Sequence, residues 1–213
     1  EASEEPRDLY ELWLAPDLFF AQTCGYPLTH ELKDKVTLVA TPCYSAPGCE
    51  GASYRSFIIV REDSAIETIA DLAGKTAGIN GYDSQSGWNV LRRALAPVLT
   101  APGAFPRIVE AGAHRRSLAA VRAADVDVAA IDCVTFALLR QAAPNEVEDL
   151  RVIAASERAP SLPSISRKDI APEDLARLRQ GLKAAMADPD LAEIRRALLI
   201  GGVEFLPESV YDR

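Results

Sequence analysis

Between residues 65 and 155, short apolar runs alternate with helical patterns, and this alternation limits the fold more than any other feature of the chain. Thr76–Ile79, Arg107–Glu110, Val126–Ile131 and Leu150–Ala155 read as strands. Residues 66–72 (closed by Gly74), 86–96, 117–124 and 134–141 read as helices between them. A chain that returns through a helix after each strand builds a parallel sheet. The small side chains in Leu118-Ala119-Ala120-Val121 suit a helix that packs closely on such a sheet.

The flanking segments read differently. Residues 1–7 are a polar loop, and Asp8 is the N-cap of a short helix that Pro16 ends. Strands are expected at 17–23, at 36–41 (stopped by Pro42) and at 54–61, with a helix at 28–32. Glu62-Asp63-Ser64 marks a crossing between lobes, and 156–168 an extended return linker. A helix starts at Pro172 with acids in its first turn and runs to Met186. Another starts at Asp188-Pro189 and is closed by Gly201-Gly202. The expectation is an α/β fold of two lobes, residues 1–61 plus 156–213 outside and 62–155 inserted. The outer lobe is short of strands, so a leading strand and helix before Glu1 are expected to be missing.

Charge and composition narrow the function classes. The 213 residues carry a net charge of −8, which disfavours nucleic acid and anionic membrane as partners. No apolar run approaches the ~20 residues that span a bilayer. The acidic opening, Glu1-Ala2-Ser3-Glu4-Glu5, has no signal-peptide pattern. Four cysteines and two histidines lack zinc-ligand spacing, and no cofactor is expected. Cys43 and Cys49 flank a tight loop, and two readings stand for them: a disulfide, or two free thiols.

Polar residues gather where the expected strands end, which is where parallel α/β sheets bind ligands. One set is Thr23, Cys24 and Tyr26. A second is Ser84-Gln85-Ser86-Gly87, at a strand-to-helix turn whose free N–H groups suit an anion. His114 and then Asp132, Cys133 and Thr135 follow the next two strands. Each has a plainer use. Ser84, Ser86 and Asp132 serve equally as helix caps, His114 as a loop residue and Tyr54 as packing. Trp13 and Trp88 read as core, and Arg115, Arg116, Arg140, Arg195 and Arg196 as solvated charges. Gly87 favours the ligand reading of its turn, because it lets backbone and ligand approach closely.

At these residues the sequence resembles the phosphate/phosphite/phosphonate-binding proteins of ABC importers. The matching phrases are Tyr54-Arg55-Ser56, Ile69-Ala70-Asp71-Leu72-Ala73-Gly74-Lys75, Ser84-Gln85-Ser86-Gly87, Gly112-Ala113-His114-Arg115-Arg116-Ser117-Leu118 and Val126-Asp127-Val128-Ala129-Ala130-Ile131-Asp132. The resemblance implies a type 2 periplasmic-binding-protein fold with ligand in an interlobe cleft. It implies that Ser84, Gln85, Ser86, Tyr54 and His114 hold an oxyanion, and that Asp132 takes the amine of an aminophosphonate. Gln85 departs from the family's threonine, and Cys24 and Cys133 stand where no cysteine is expected. The function implied is capture of a phosphate- or phosphonate-like anion by a monomer that serves an ABC permease and ATPase in the periplasm. A cytoplasmic location stays open on the cysteines. The alternatives are another small anion, such as a sulfonate or a vitamin-precursor phosphate, bound for transport or sensing, and an enzyme with Cys133 as nucleophile beside His114 and Asp132. A non-enzymatic role is the expectation.

Overall fold

The computed structural model of the protein describes residues 8–98 and 107–212, so the polar-loop reading of residues 1–7 lies outside the described residues. In chain order the elements are α1 (Leu9–Trp13), β1 (Ala21–Gln22), α2 (Gly25–Thr29), β2 (Val36–Tyr44), β3 (Ser53–Tyr54), β4 (Ser56–Arg61), β5 (Thr76–Ile79), α3 (Val90–Leu95), β6 (Arg107–Glu110), α4 (His114–Arg122), β7 (Val128–Asp132), α5 (Cys133–Ala142), β8 (Leu150–Ala155), β9 (Ala159–Pro160), β10 (Ser164–Arg167), α6 (Pro172–Ala187), α7 (Ala192–Ala197) and β11 (Ile200–Glu204). Two compact units result: Glu1–Tyr44 together with Pro160–Arg213, and Ser45–Ala159.

The second unit is built on a five-stranded sheet in the order β6-β5-β7-β4-β8. Residues of one strand alternate between its faces. Ile58, Val60, Val128 and Ala130 therefore join Val90, Leu91 and Leu95 of α3 on one side. Ile59, Ala129 and Ile131 join Leu118 and Val121 of α4 and Phe136 of α5 on the other. With both faces covered, the central strands need apolar residues at every position, which is why Phe57-Ile58-Ile59-Val60 and Val128-Ala129-Ala130-Ile131 do not alternate with polar ones. Truncating a fully buried leucine here, such as Leu118, costs roughly 2–5 kcal/mol.

The expected parallel alternation holds for β6, β5 and β7. The departure is β4, which runs antiparallel to both β7 and β8. Its register sets Ser56 opposite Asp132 and Phe57 opposite Ala155. The start of β4 thus lies at the edge where the other four strands end. This strand also moves the lobe boundary. The break falls at 44/45 and 159/160, not at 61/62 and 155/156, because β4 is interior to the inserted unit's sheet.

The first unit holds a four-stranded antiparallel sheet in the order β1-β10-β2-β11. Its core joins Trp13, Leu18, Leu28, Leu32, Val36, Leu38, Ile165 and Tyr211. The expected N-cap is present: the Asp8 carboxylate accepts from the Tyr10 N–H at 2.9 Å. Three expectations need correction. Pro42 does not stop its strand, because β2 pairs with β10 over 36–40 and with β11 over 41–44, so Pro42 sits past the first ladder. Residues 156–168 are not only a linker, since Ser164–Arg167 inserts between β1 and β2. Gly201 and Gly202 lie inside β11 instead of closing a helix. The helix before them turns out through Leu199, whose φ is 55°.

Candidate functional site

The edge of the Ser45–Ala159 unit where four strands end collects most of the polar residues singled out above. Chain reversal at β4 brings Tyr54 and Ser56 there as well. Ser56 N–H donates to Ser156 Oγ at 3.0 Å, so the start of β4 and the residue after β8 are tied together. Tyr54, Ser56, Ser84, Ser86 and Asp132 are all buried.

The turn after β5 is shaped by its own side chains. Ser84 Oγ accepts the Gly87 N–H at 3.0 Å, the capping use expected of a serine. Asn89 N–H reaches back five residues to the Ser84 carbonyl at 3.0 Å, so the first turn is wider than an α-turn. Gln85 is the first residue of that turn. A Cβ on Gly87 would stand 1.9 Å from Asn80 Oδ1 and 3.2 Å from Ser84 Oγ. Glycine is needed here for close approach, and the neighbour that demands it is the side chain of Asn80. Trp88 is half-buried and not core. It packs edge-on to Tyr82 with ring centroids 5.6 Å apart, with the Arg92 guanidinium 5.6 Å from its ring centroid.

His114 is the first residue of α4 and not a loop residue. Its Nε2 meets Ser86 Oγ at 2.8 Å and lies 3.5 Å from Asp132 Oδ2. Burial pushes the imidazolium pKa below its ordinary value, against the opposing pull of the Asp132 carboxylate. The ring is therefore held neutral, and it can offer or accept a hydrogen bond without bringing a charge. Asp132 divides its two oxygens: Oδ1 accepts the Thr135 N–H at 2.8 Å and caps α5, while Oδ2 faces His114. The capping reading of Asp132 is thus met by one oxygen, and the other oxygen is turned to His114. The serine and the carboxylate share one imidazole nitrogen. A Ser–His–Asp proton relay instead places them on opposite nitrogens.

Cys133 begins α5, and its sulfur lies 3.4 Å from that of Cys49. The open question of a Cys43–Cys49 pair resolves differently: Cys43 belongs to the other unit and donates to Glu204 Oε1 at 3.5 Å. Burial and the Glu204 hydrogen bond push the Cys43 thiol up to about 11.

Thr23, Cys24 and Tyr26 belong to the other unit. Thr23 is buried, and its N–H donates to the Pro163 carbonyl at 3.0 Å. Cys24 is the residue before α2, and Tyr26 stacks on His30 with ring centroids 3.7 Å apart. Two of the arginines read as solvated charges have local partners. Arg115 pairs with Glu146, and Arg195 donates to the carbonyls of Ala185 and Asp188 at 2.7 and 2.6 Å, closing α6. Two contributors were missed in the sequence. Asn80 carried a signal, standing directly after a strand and before a glycine-containing turn. Cys49 carried none, because its nearest cysteine in sequence drew the attention.

This sheet topology, with one α/β unit inserted into another, is that of the type 2 periplasmic binding proteins. The sequence of residues 16–211 matches the family model described as ABC transporter, phosphonate, periplasmic substrate-binding protein. The chain belongs to this family. No curated protein matches the sequence. Among solved structures, the chain is similar to a binding-protein component of an ABC phosphonate transporter from Pseudomonas aeruginosa, with a TM-score of 0.78, 21% identity, and 92% of this chain and 66% of that one covered. It is similar to PhnD1 from Prochlorococcus marinus in complex with methylphosphonate, with a TM-score of 0.74, 12% identity and coverage of 90% and 74%. The aliphatic sulphonate binding protein SsuA from Escherichia coli follows at a TM-score of 0.61, 21% identity and coverage of 96% and 67%. Among the described residues, no helix is long and apolar enough to cross a membrane.

Proposed function

We propose that the chain captures a phosphonate-like oxyanion that carries a proton or an amine, and delivers it to an ABC permease and ATPase from the periplasm, acting as a monomer. The observation that carries this reading is the meeting of Ser86, His114 and Asp132 around one imidazole nitrogen, at 2.8 and 3.5 Å. Hydroxyls of Ser84, Ser86 and Tyr54 and the side chain and backbone of Gln85 supply donors to the oxyanion. A serine hydroxyl that accepts one bond still has its proton to donate. His114 is neutral, so the one formal charge in the cluster is the carboxylate of Asp132. A carboxylate beside an anion site repels a bare anion and favours a ligand that offers a proton-bearing group. A hydrogen phosphonate, a phosphite or an aminophosphonate offers one. An unsubstituted alkyl sulfonate does not, and this disfavours the sulfonate alternative despite the likeness to SsuA.

Calorimetric titration of ligand-free protein tests the reading. Methylphosphonate, phosphite, phosphate and 2-aminoethylphosphonate are compared with methanesulfonate. Heat from at least one of the phosphorus oxyanions and none from methanesulfonate is expected. Tighter binding of methanesulfonate than of all four would overturn the assignment.

A further inference from the structure

The cysteines at the head of α5 and in the 45–52 loop have no part in the anion reading. We propose that Cys49 and Cys133 form an oxidisable dithiol whose closure to a disulfide fastens the 45–52 loop to the first residue of α5. The two sulfurs are 3.4 Å apart although 84 residues separate them in sequence, so the fold has created the pair. Both carriers are held in place. The Cys133 N–H donates to the Arg55 carbonyl at 2.9 Å, and the Cys49 N–H to the Ala46 carbonyl at 3.0 Å. Gly48, next to Cys49, turns the loop at a φ of +104°. A Cβ on Gly48 would stand 3.1 Å from Cys133 Cβ and 3.2 Å from its sulfur, so the loop backbone lies directly on Cys133.

The two thiols differ in a way that suits ordered exchange. Cys133 is fully buried, whereas Cys49 is partly exposed. The hydrogen bond between them lowers the Cys133 thiol and, with burial, raises that of Cys49, so exposure and not acidity makes Cys49 the first to react; once Cys49 is in a mixed disulfide that bond is gone, and the helix N-terminus still favours the Cys133 thiolate. An incoming small-molecule disulfide, RSSR, meets Cys49 first. Cys49 gives up its proton and attacks one sulfur of RSSR. A Cys49–S–S–R mixed disulfide forms, and the expelled thiolate takes up that proton as RSH. The Cys133 thiolate then attacks Cys49 Sγ. The protein disulfide forms, and the second RS⁻ leaves and takes up the proton that Cys133 lost. The protein loses two electrons and two protons, and RSSR becomes two RSH. The other two cysteines are outside this chemistry. Cys43 is held by Glu204 in the other unit, and Cys24 is at the head of α2.

Mass spectrometry of the purified chain tests the dithiol. One sample is treated with oxidised glutathione and one with dithiothreitol, and both are alkylated and digested. The oxidised sample is expected to keep two alkylatable thiols of the four in the sequence and to yield one cross-linked peptide joining Cys49 to Cys133. Its melting temperature should stand several degrees above that of the reduced sample. Cys133→Ser should arrest at a glutathione adduct on Cys49, and Cys49→Ser should yield no cross-link. Four alkylatable thiols after oxidation, or a Cys43–Cys49 cross-link, would overturn the proposal. The wild-type peptide map decides the matter even where the buried Cys133→Ser variant fails to fold. No ligand enters the measurement, so its outcome is separate from that of the titrations above.

Discussion

Ser86 and His114 are joined side chain to side chain at 2.8 Å across a separation of 28 residues. Their strands make this possible. β5 and β6 are parallel and in register from Thr76–Arg107 to Ile79–Glu110, so the residues that follow them emerge at the same height. Asp132 arrives from β7, on the other side of β5. One half-buried imidazole therefore reports on the ends of three strands.

Ser86→Ala is expected to lower affinity for the preferred oxyanion about 10- to 100-fold, equivalent to roughly 1.4–2.8 kcal/mol. Folding stability should change by less than about 1 kcal/mol, because the helix start is capped by Ser84 instead. Calorimetry and urea unfolding on the same preparation separate the two effects. A stability loss with affinity intact would remove Ser86 from the site.

Asp132 separates capping from recognition. Asp132→Ala removes the acceptor for the Thr135 N–H and should cost about 1 kcal/mol of stability. Asp132→Asn keeps an oxygen for that bond but loses the carboxylate. Its affinity for 2-aminoethylphosphonate should fall about tenfold more than its affinity for methylphosphonate, the loss expected of a charge-assisted hydrogen bond. Equal losses for the two ligands would argue against an amine-facing carboxylate.

Gly87→Ala should destabilise the chain by roughly 1–3 kcal/mol through overpacking. The clash falls on the Asn80 side chain, 1.9 Å from the added Cβ. Adding Asn80→Ala should therefore recover part of the loss, since residues in contact do not behave additively. Strictly additive losses in a double-mutant cycle would place the strain elsewhere.

Stability should depend on His114 in a defined pH window. Burial lowers its folded-state pKa below the ordinary value of 6.5. Below that ordinary value the unfolded chain takes up a proton that the folded chain refuses. Stability from this group is thus complete above about pH 6.5 and declines as pH falls toward the lowered folded value. Unfolding free energies of wild type and His114→Asn, measured between pH 5 and 8, should show a shallower decline for the variant in that window. Parallel profiles would exclude His114 as the cause.

Much of the inserted unit was legible in the sequence, because its strands are apolar runs bounded by turn residues. Thr76–Ile79, Arg107–Glu110 and Leu150–Ala155 have the expected bounds. The antiparallel unit was less legible. Ser164–Arg167 has one buried apolar side chain, Ile165, and is a strand because β1 and β2 lie on either side of it. Ile200–Glu204 contains two glycines and owes its extended form to pairing with β2. Such strands are set by tertiary partners and not by propensity. The site was read from the strand ends, where side-chain type and chain order suffice. The sharing of one histidine nitrogen by Ser86 and Asp132, and the facing of Cys49 and Cys133, depend on register and on loop path, which local sequence does not encode.

The reversed strand β4 has a mechanical consequence. Because it starts at the edge where β8 finishes, the chain both enters and leaves its sheet at the edge that carries Ser86, His114 and Asp132. The two covalent connections to the rest of the protein are rooted within a few residues of the polar cluster. A change in what Ser56 or Asp132 binds is therefore a change at the foot of both connections, and not one that must pass through the apolar layers on the sheet's faces.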